Sequence, residues 1–353
     1  MRLESDDVQR DLASAVRAGL APAADPGGAL DPADVHACLT DLDLYALELP
    51  DTAAGLAYGL SHVVPVCEEL GRWVAPDSYR AAALLADVIQ SAEPRGDGHP
   101  APGSAELLAG IAAGKVTAGL ASGDGVTVTA APGGLRISGD CALSQPPPDA
   151  SFHVVPARHT RGTVFAAVAV DSPGVTCAAT RREGILRLSL KDVAPLALSA
   201  PAHDTGGVPS PLLVRARVRQ AAHLLGLAAG AHRLAVGRAA RRRQFGRSIG
   251  ENQAVAFPLA EQFAHLEAVR LLIGEAAWDA DGGRPAAVAA TQSLAYAAEL
   301  ALRVTAHAVH VHGAAGITGE YAVQRYYRAA AVEATRWGAP AALWQEAGRL
   351  RLR

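Results

Sequence analysis

Hydrophobic positions in the first third of the chain recur at helical spacing. Leu60, Val63, Val64, Cys67 and Leu70 fall at i, i+3, i+4, i+7 and i+10, the stripe of an amphipathic helix. Gly71 then marks the expected stop, since glycine commonly follows the last helical turn. Asp31-Pro32, ahead of Ala33-Asp34-Val35, has the form of an N-cap with proline at the first helical position. A turn-rich connector, SAEPRGDGHPAPGS at 91–104, leads into another short helix over 105–114. Near residue 116 the texture changes. Val116-Thr117, Val126 to Thr129, Leu135 to Ile137, His153 to Val155 and Val164 to Val170 are short runs rich in β-branched residues. Gly133-Gly134, Pro146-Pro147-Pro148 and Ser172-Pro173-Gly174 punctuate them as turns. From about 210 onward, long alanine- and leucine-rich amphipathic runs return. The order of helices, strands and helices predicts an α+β chain with three parts: an N-terminal helical domain over 1–115, a small β-sandwich or barrel over 116–209, and a C-terminal helical domain over 210–353.

Composition narrows the function classes. The 353 residues carry 32 basic and 35 acidic side chains, a formal net charge of −3, which argues against a general nucleic-acid binder. Cys38, Cys67, Cys141 and Cys177 lie far apart with no Cys-x-x-Cys pair, so neither a zinc ribbon nor a disulfide framework is expected. The opening MRLESDDVQRD is charged and has no apolar signal core, and no run approaches the ~18 apolar residues of a membrane span. The expectation is a soluble, cytoplasmic protein. Lysine occurs only at Lys115 and Lys191, so arginine supplies nearly all the positive charge.

Four local patterns bear on chemistry. Gly246-Arg247-Ser248-Ile249-Gly250 satisfies the G-x-S-x-G pattern of a hydrolase nucleophile elbow, which needs a strand before it and a helix after it. It follows a helical run ending in RAARRRQFG, so the expectation is a helix-terminating loop. His307, His310 and His312 have a spacing compatible with metal ligation. Only Glu299 lies within ten residues upstream to complete a shell, and no metal is expected. Arg238, Arg241, Arg242 and Arg243 gather at the end of one long helix. They fit either cations complementing the helix dipole or a phosphate clamp, since guanidinium forks match phosphate oxygens. Gly313-Ala314-Ala315-Gly316-Ile317-Thr318-Gly319 is a glycine-rich turn whose small residues let backbone approach another chain or a cofactor. It is not G-x-G-x-x-G, and no βαβ unit surrounds it, which argues against a Rossmann site.

Together these C-terminal pieces resemble the acyl-CoA dehydrogenase family. RRRQFGRSIGENQAVAFPLAEQF is similar to its signature of Arg-x-Phe-Gly, a short loop and a glutamine opening the next helix. HVHGAAGITGEYAVQRYYR is similar to the glycine turn QxHGGxGxTxEYPVxRxYR, and LELPDTAAGLAYGLSHVVPVCEELGRWVAP to the N-terminal helices. The resemblance spans essentially the whole chain and is strongest in its last 150 residues. It implies a C-terminal four-helix bundle, an FAD shared across a subunit interface, and an acyl-CoA thioester as substrate. It further implies that Arg243, Phe245 and Gln253 meet the pyrophosphate and adenine end of FAD. The turn carrying His310, Gly313 and Gly316 would approach the adenosine half of a neighbouring subunit's FAD. An electron-transfer flavoprotein would be the electron acceptor.

Two departures from the family pattern stand beside these matches. The family abstracts the substrate α-proton with a glutamate. Counting from Glu320-Tyr321, that position falls on Trp337, followed by Gly338; the alternative position, counted back from Phe245, falls on Ala216, beside Arg217. Neither side chain accepts a proton. Glu333, one helical turn before Trp337, is the nearest substitute, with an exposed structural glutamate as the expected role. The second departure is at the flavin ring. The family's Thr-Glu-Pro-x-x-Gly-Ser-Asp segment corresponds loosely to Gly119 through Gly125, and its Lys-x-Trp-x-Thr-Asn strand to Cys141 through Pro146, where the tryptophan and threonine are absent. The pattern is similar to base-lacking subunits of heteromeric acyl-CoA dehydrogenases acting on bulky thioesters such as sterol side chains, in which a paralogue supplies the base. Three other readings remain open at this point: a homo-oligomeric dehydrogenase working through Glu333, a non-catalytic member binding an acyl chain or a partner, and a flavin-dependent oxygenase on the same fold.

Overall fold

The structure, a computed structural model, describes residues 6–23, 29–92, 103–132, 134–144, 146–147, 149–181, 184–318 and 321–353. Most of the 91–104 connector, Gly133, Pro148, Gly319 and Glu320 lie outside them. Among these residues five α-helices come first: α1 (Asp7–Leu20), α2 (Pro32–Asp41), α3 (Leu60–Arg72), α4 (Ser78–Ser91) and α5 (Ser104–Ala112). Proline does open α2, as the Asp31-Pro32 pattern predicts. Eight strands follow: β1 (Ala118–Ser122), β2 (Val126–Ala131), β3 (Gly134–Ser144), β4 (Phe152–His159), β5 (Gly162–Ala169), β6 (Val175–Ala179), β7 (Ile185–Val193) and β8 (Ala197–Leu198). The C-terminal part contains α6 (Pro211–Arg241), a short hairpin of β9 (Arg243–Gln244) and β10 (Arg247–Ser248), then α7 (Gln253–Asp281), α8 (Ala287–His312), α9 (Val323–Glu333) and α10 (Pro340–Arg351). This is the helical, β and helical order of the predicted α+β fold.

The chain divides into two compact units, with the division falling inside α6. The unit formed by Pro32–Gly59 and Pro76–Ala216 is built on one mixed sheet of order β6-β7-β3-β1-β4-β5-β8, with β2 pairing both β3 and β4. Strand β1 runs antiparallel to β3 and parallel to β4. Its core joins Val126, Ile137, Leu143, Val155, Val164, Val168, Leu188 and Leu190. Two expectations shift here. Val116-Thr117 precede β1 instead of forming a strand, because Val116 closes the turn after α5 by bonding to the Gly110 carbonyl. Strand β7 carries an alternation of leucines, Leu186, Leu188 and Leu190, that the turn-based reading passed over.

The other unit comprises Met1–Asp31, Leu60–Ala75 and Arg217–Arg353 and contains α1, α3 and α7 to α10 with most of α6. Within it α6 is buried on nearly all sides, consistent with its hydrophobic periphery. Gly71 does not stop α3, which runs on to Arg72. It serves a crossing instead. A Cβ at Gly71 would stand 2.1 Å from the His223 carbonyl oxygen, and one at Gly226 would stand 2.0 Å from the Glu68 carbonyl oxygen and 2.8 Å from the Gly71 Cα. The two helix backbones touch where both residues lack side chains. Gly226→Ala therefore has no side chain to displace, only backbone, and should cost about 3 kcal/mol or more in a thermal melt. Gly274→Ala is the control: nothing lies within 4 Å of its Cβ position, so loss of a mid-helix glycine should stabilise by ~0.5–1 kcal/mol.

Ion pairs fasten α3 in this unit. Glu68 is buried and accepts from Arg270 at 2.7 and 3.1 Å and from Arg72 at 2.5 Å, while Arg17 reaches Glu69 at 3.0 and 3.1 Å. Asp281 caps α3 by accepting from the Leu60 amide at 2.6 Å and the Ser61 amide at 2.9 Å. Burial alone would raise the Glu68 pKa, but the Arg270 and Arg72 guanidiniums hold it below the usual carboxylate range. A folded-state value below the unfolded one means that this stabilisation is complete above the ordinary carboxylate range and is lost as pH falls through the depressed value. Melting temperature should accordingly drop in acid, and Glu68→Gln should lower it at neutral pH while flattening that acid limb.

Candidate functional site

The Arg-x-Phe-Gly segment forms a hairpin, so the expected helix-terminating loop is replaced by a more defined element. Arg243 pairs with Ser248 and Gln244 with Arg247, leaving Phe245 and Gly246 as a two-residue turn. Both central residues have positive φ, 52° at Phe245 and 80° at Gly246, the signature of a type I′ turn. Gly246 suits that conformation; a bulky phenylalanine does not, at a cost of about 1–2 kcal/mol. The Phe245 side chain is also 99 % exposed. A strained and fully hydrated ring at a turn tip contributes nothing to this chain's own folding.

The strand that precedes Ser248 belongs to this hairpin and not to a hydrolase-type sheet. The Ser248 hydroxyl donates to Glu251 at 2.8 Å and its amide to the same oxygen at 3.0 Å. That bond stabilises the Glu251 carboxylate and lowers its pKa. The serine is a capping residue of the turn that leads to Gln253, the exposed first residue of α7.

Five arginines surround the hairpin. Arg247 donates to Asn252 at 2.6 Å and Arg243 to the Gly246 carbonyl at 3.0 Å. Among the described residues no carboxylate is bonded to Arg238, Arg241, Arg242 or Arg243, and the buried Nε of Arg238 has no hydrogen-bond partner. The Arg241 guanidinium folds back over Gly237, where a Cβ would lie 3.2 Å from its Nη2. A helix C-terminus accounts for one or two such cations, not for this concentration.

The glycine turn comes to the same place. The His312 ring lies near Arg238 and Arg241: burial lowers its pKa most, the Ala308 carbonyl opposes that, and the two guanidiniums lower it further. Its Nδ1–H donates to the Ala308 carbonyl at 2.8 Å, and Tyr321 stacks edge-on with centroids 6.1 Å apart. Gly313 has φ +66°, and a Cβ at Gly316 would meet the Val309 carbonyl oxygen at 2.5 Å. Both glycines are thus required by the turn itself. His310 is exposed and stacks on His307, with ring centroids 6.4 Å apart, and His307 is held by Gln262 at 2.8 Å. No group of three potential metal ligands occurs among the described residues. Sequence reasoning named His312 only within the candidate metal cluster and gave the turn's role to His310. The signal for His312 was its place immediately before the first glycine of the turn.

The two positions reached by counting to the family base, Ala216 and Trp337, hold no proton acceptor. Ala216 is buried in α6. Its neighbours are each neutralised: Arg215 donates to Glu48 at 2.6 Å and Asp87 at 3.0 Å, and Arg217 to Glu346 at 2.6 and 2.8 Å and to Thr291 at 2.8 Å. Trp337 is half-buried in the turn after α9, beside Gly338 with φ +130°. Glu333 is buried, not exposed as expected, because it faces α6. Arg336 binds both of its oxygens, with the Nε bond at 2.9 Å, and Gln220 donates to its carboxylate at 3.0 Å and its carbonyl at 2.8 Å.

In the β unit, the segment that corresponds loosely to the family's flavin-ring residues contains Gly119. A Cβ there would meet Pro146 at 2.8 Å and the His153 Nδ1 at 3.0 Å. Burial pushes His153 down to about 4, so the imidazole is neutral, and its Nε2 lies 3.7 Å from the Cys177 sulfur. Burial likewise raises Cys141, to about 12.

Residues 208–344 match the family model described as acyl-CoA dehydrogenase, C-terminal domain. A chain of the Tcur3481–Tcur3483 steroid ACAD, in a variant form, superposes over 98 % of this chain and 97 % of its own length, with a TM-score of 0.81 and 26 % identity. Residues 208–344 thus carry an acyl-CoA dehydrogenase C-terminal domain. Benzylmalonyl-CoA dehydrogenase of Aromatoleum aromaticum is 33 % identical over 214 residues, 57 % of this chain and 56 % of that protein. The ChsE4–ChsE5 complex from Mycobacterium tuberculosis shares the fold, with a TM-score of 0.83 and 22 % identity over 99 % of this chain and 98 % of that one. Across the curated relatives, the matched stretches span 29–56 % of their lengths. Among the described residues, no helix is long and apolar enough to cross a membrane.

Proposed function

We propose that this chain is a subunit of a heteromeric, FAD-dependent acyl-CoA dehydrogenase that contributes a nucleotide half-site, while a paralogue supplies the catalytic base. The observation that carries the reading is the hairpin and glycine turn together. Among the described residues Arg238, Arg241 and Arg243 have no carboxylate partner, Arg238 keeps a buried unsatisfied N–H, and Phe245 holds an exposed ring at a strained position. That donor set fits a pyrophosphate with an attached aromatic base, because guanidiniums neutralise phosphate and an exposed ring offers a stacking face. Arg243 and Arg241 would hold the pyrophosphate, Phe245 and Gln253 the adenine end, and the turn around His312, Gly313 and Gly316 the adenosine side.

When bound, FAD supplies the hydride acceptor for α,β-dehydrogenation of an acyl-CoA thioester, and an electron-transfer flavoprotein would reoxidise it. The α-proton beside a thioester is only weakly acidic, so the reaction needs a positioned carboxylate. This chain offers Trp337 and Ala216 at the aligned positions, and its nearest candidate, Glu333, is committed to Arg336 and Gln220. A neutral, buried network of that kind positions α9 against α6. The partner is therefore assigned the base, a reading also supported by the likeness to a steroid ACAD described as a pair of proteins. Co-expression with a paralogue carrying the family glutamate tests it. Acyl-CoA should bleach the flavin of the complex, Glu333→Gln in this chain should leave that rate unchanged, and removal of the paralogue's glutamate should abolish it. Loss of bleaching with Glu333→Gln alone would overturn the assignment.

A further inference from the structure

The β unit carries a thiol–imidazole pair that the proposed function leaves unused. His153 on β4 is 3 % exposed, and its Nε2 lies 3.7 Å from the sulfur of Cys177 on β6. These strands are not neighbours. Strands β7, β3 and β1 stand between them in the sheet, which curls far enough to bring the two side chains together. Register sets Cys177 opposite Leu188 and Leu188 opposite Cys141, so the thiol belongs to the face that carries the core. Gly119 makes the room for the ring. A Cβ there would stand 3.0 Å from the His153 Nδ1, 2.8 Å from Pro146 and 3.1 Å from Leu143. The pair has apolar walls on the inside and an exposed cysteine on the outside.

Folding alone does not account for the histidine. Its Nδ1 has no hydrogen-bond partner, and its Nε2 faces only a thiol, which is a weak donor. A buried polar atom without a partner costs stability, and an apolar side chain in the same space would carry no such penalty. A ring this deeply buried is neutral, the form that ligates metal ions.

Distance and charge select the ion. With bonds of about 2.3 Å to sulfur and 2.0–2.1 Å to nitrogen, one metal ion spans roughly 3.6 Å at a tetrahedral angle and roughly 4.3 Å in a line. The observed 3.7 Å falls within that span, and rotation of the exposed Cys177 side chain can open it. No group of three potential metal ligands occurs among the described residues. The chain therefore offers neither the four-ligand shell of structural zinc nor the six to eight oxygens of calcium. A soft monovalent cation is stable with two ligands and prefers thiolate. With one thiolate and one neutral imidazole it forms an uncharged complex, suited to the apolar walls. A divalent ion would leave a net positive charge against Leu143 and Pro146, which is costly to bury.

We propose that Cys177 and His153 form a two-coordinate site for a soft monovalent cation, Cu(I) being the cellular one, that clasps β6 to β4. The ion displaces the thiol proton to solvent, and no electron is transferred. The site stands apart from the nucleotide reading, so either can fail alone.

The test titrates reduced, copper-free, full-length protein with Cu(I) under anaerobic conditions against a chromophoric Cu(I) chelator, with thermal melts alongside. One Cu(I) per chain should bind, and the melting temperature should rise with added Cu(I). Cys177→Ser should weaken binding on the order of 100-fold or more, because a direct ligand matters at least as much as the groups that orient one. Without copper this variant should melt as the wild type does, since Cys177 is exposed. Cys141→Ser, at the buried thiol two strands away, should leave the affinity unchanged. His153 is buried, so its part is read from X-ray absorption of the wild-type complex, which should show one sulfur and one imidazole nitrogen on copper. Absence of stoichiometric binding would overturn the proposal. So would binding that survives Cys177→Ser, or an absorption spectrum with sulfur ligands and no imidazole.

Discussion

Phe245→Asn should raise the stability of this chain slightly while removing its contribution to FAD binding. Asparagine tolerates the left-handed conformation and is preferred in type I′ turns, so relief of the φ 52° strain is worth up to about 1 kcal/mol. The exposed ring makes no compensating contact, being 99 % exposed. A residue that costs stability where it stands, yet sits at the tip of an arginine-rich hairpin, fits the proposed role of meeting the nucleotide in the assembled enzyme. Arg243→Ala should act in the same direction on binding. A charge-assisted hydrogen bond to phosphate is worth about 1.5–3 kcal/mol, so FAD affinity of the complex should fall by roughly 10- to 150-fold. Arg243 makes only one bond within the chain, to the Gly246 carbonyl, and melting should change little. Flavin fluorescence titration of the complex beside thermal melts of the isolated chain separates the two effects. Loss of stability together with binding would make the hairpin a folding element instead.

Arg217→Ala has the largest expected effect on stability. The Arg217 side chain is 3 % exposed and forms a two-pronged pair with Glu346, linking α6 to α10, with a third bond to Thr291 on α8. Truncation leaves the Glu346 carboxylate without its cation in a largely dry site, a loss of about 3–5 kcal/mol. For a chain of this size the melting temperature should fall on the order of 10 °C. Replacing both partners, Arg217→Met with Glu346→Leu, removes the charge along with its counter-charge and should recover most of the loss, because a buried pair seldom outperforms well-packed apolar side chains. If Arg217→Ala alone is harmless, water reaches Glu346 and the pair is not a structural tie.

The chain's organisation was legible where periodicity and turn chemistry agree. The α3 stripe, the proline opening α2, and the return to helix after 210 follow from local patterns that each element satisfies by itself. Gly71 was misread because a glycine after an apolar stripe has two uses, ending a helix or letting another helix touch it, and only the position of Gly226 decides between them. The same limit hid Glu333. One-turn spacing from Trp337 places it on a face, but whether that face meets solvent or Gln220 depends on α6, more than a hundred residues away. At the site, resemblance supplied Arg243, Phe245, Gln253 and the glycine turn. It could not supply the strain and exposure of Phe245, the unsatisfied N–H of Arg238, or the approach of His312 to Arg238 and Arg241, which depend on how α6 and α8 end beside each other.

The flavin content of the purified chain, alone and in complex with its paralogue, is the most direct test of the half-site reading. On the proposed reading this chain provides the nucleotide end without the tryptophan and threonine that cover the ring in the family pattern. The chain alone should therefore be colourless, and FAD should appear at 450 nm absorbance only in the complex, on the order of one flavin per pair of unlike chains. A yellow chain carrying close to one FAD without any partner would contradict it.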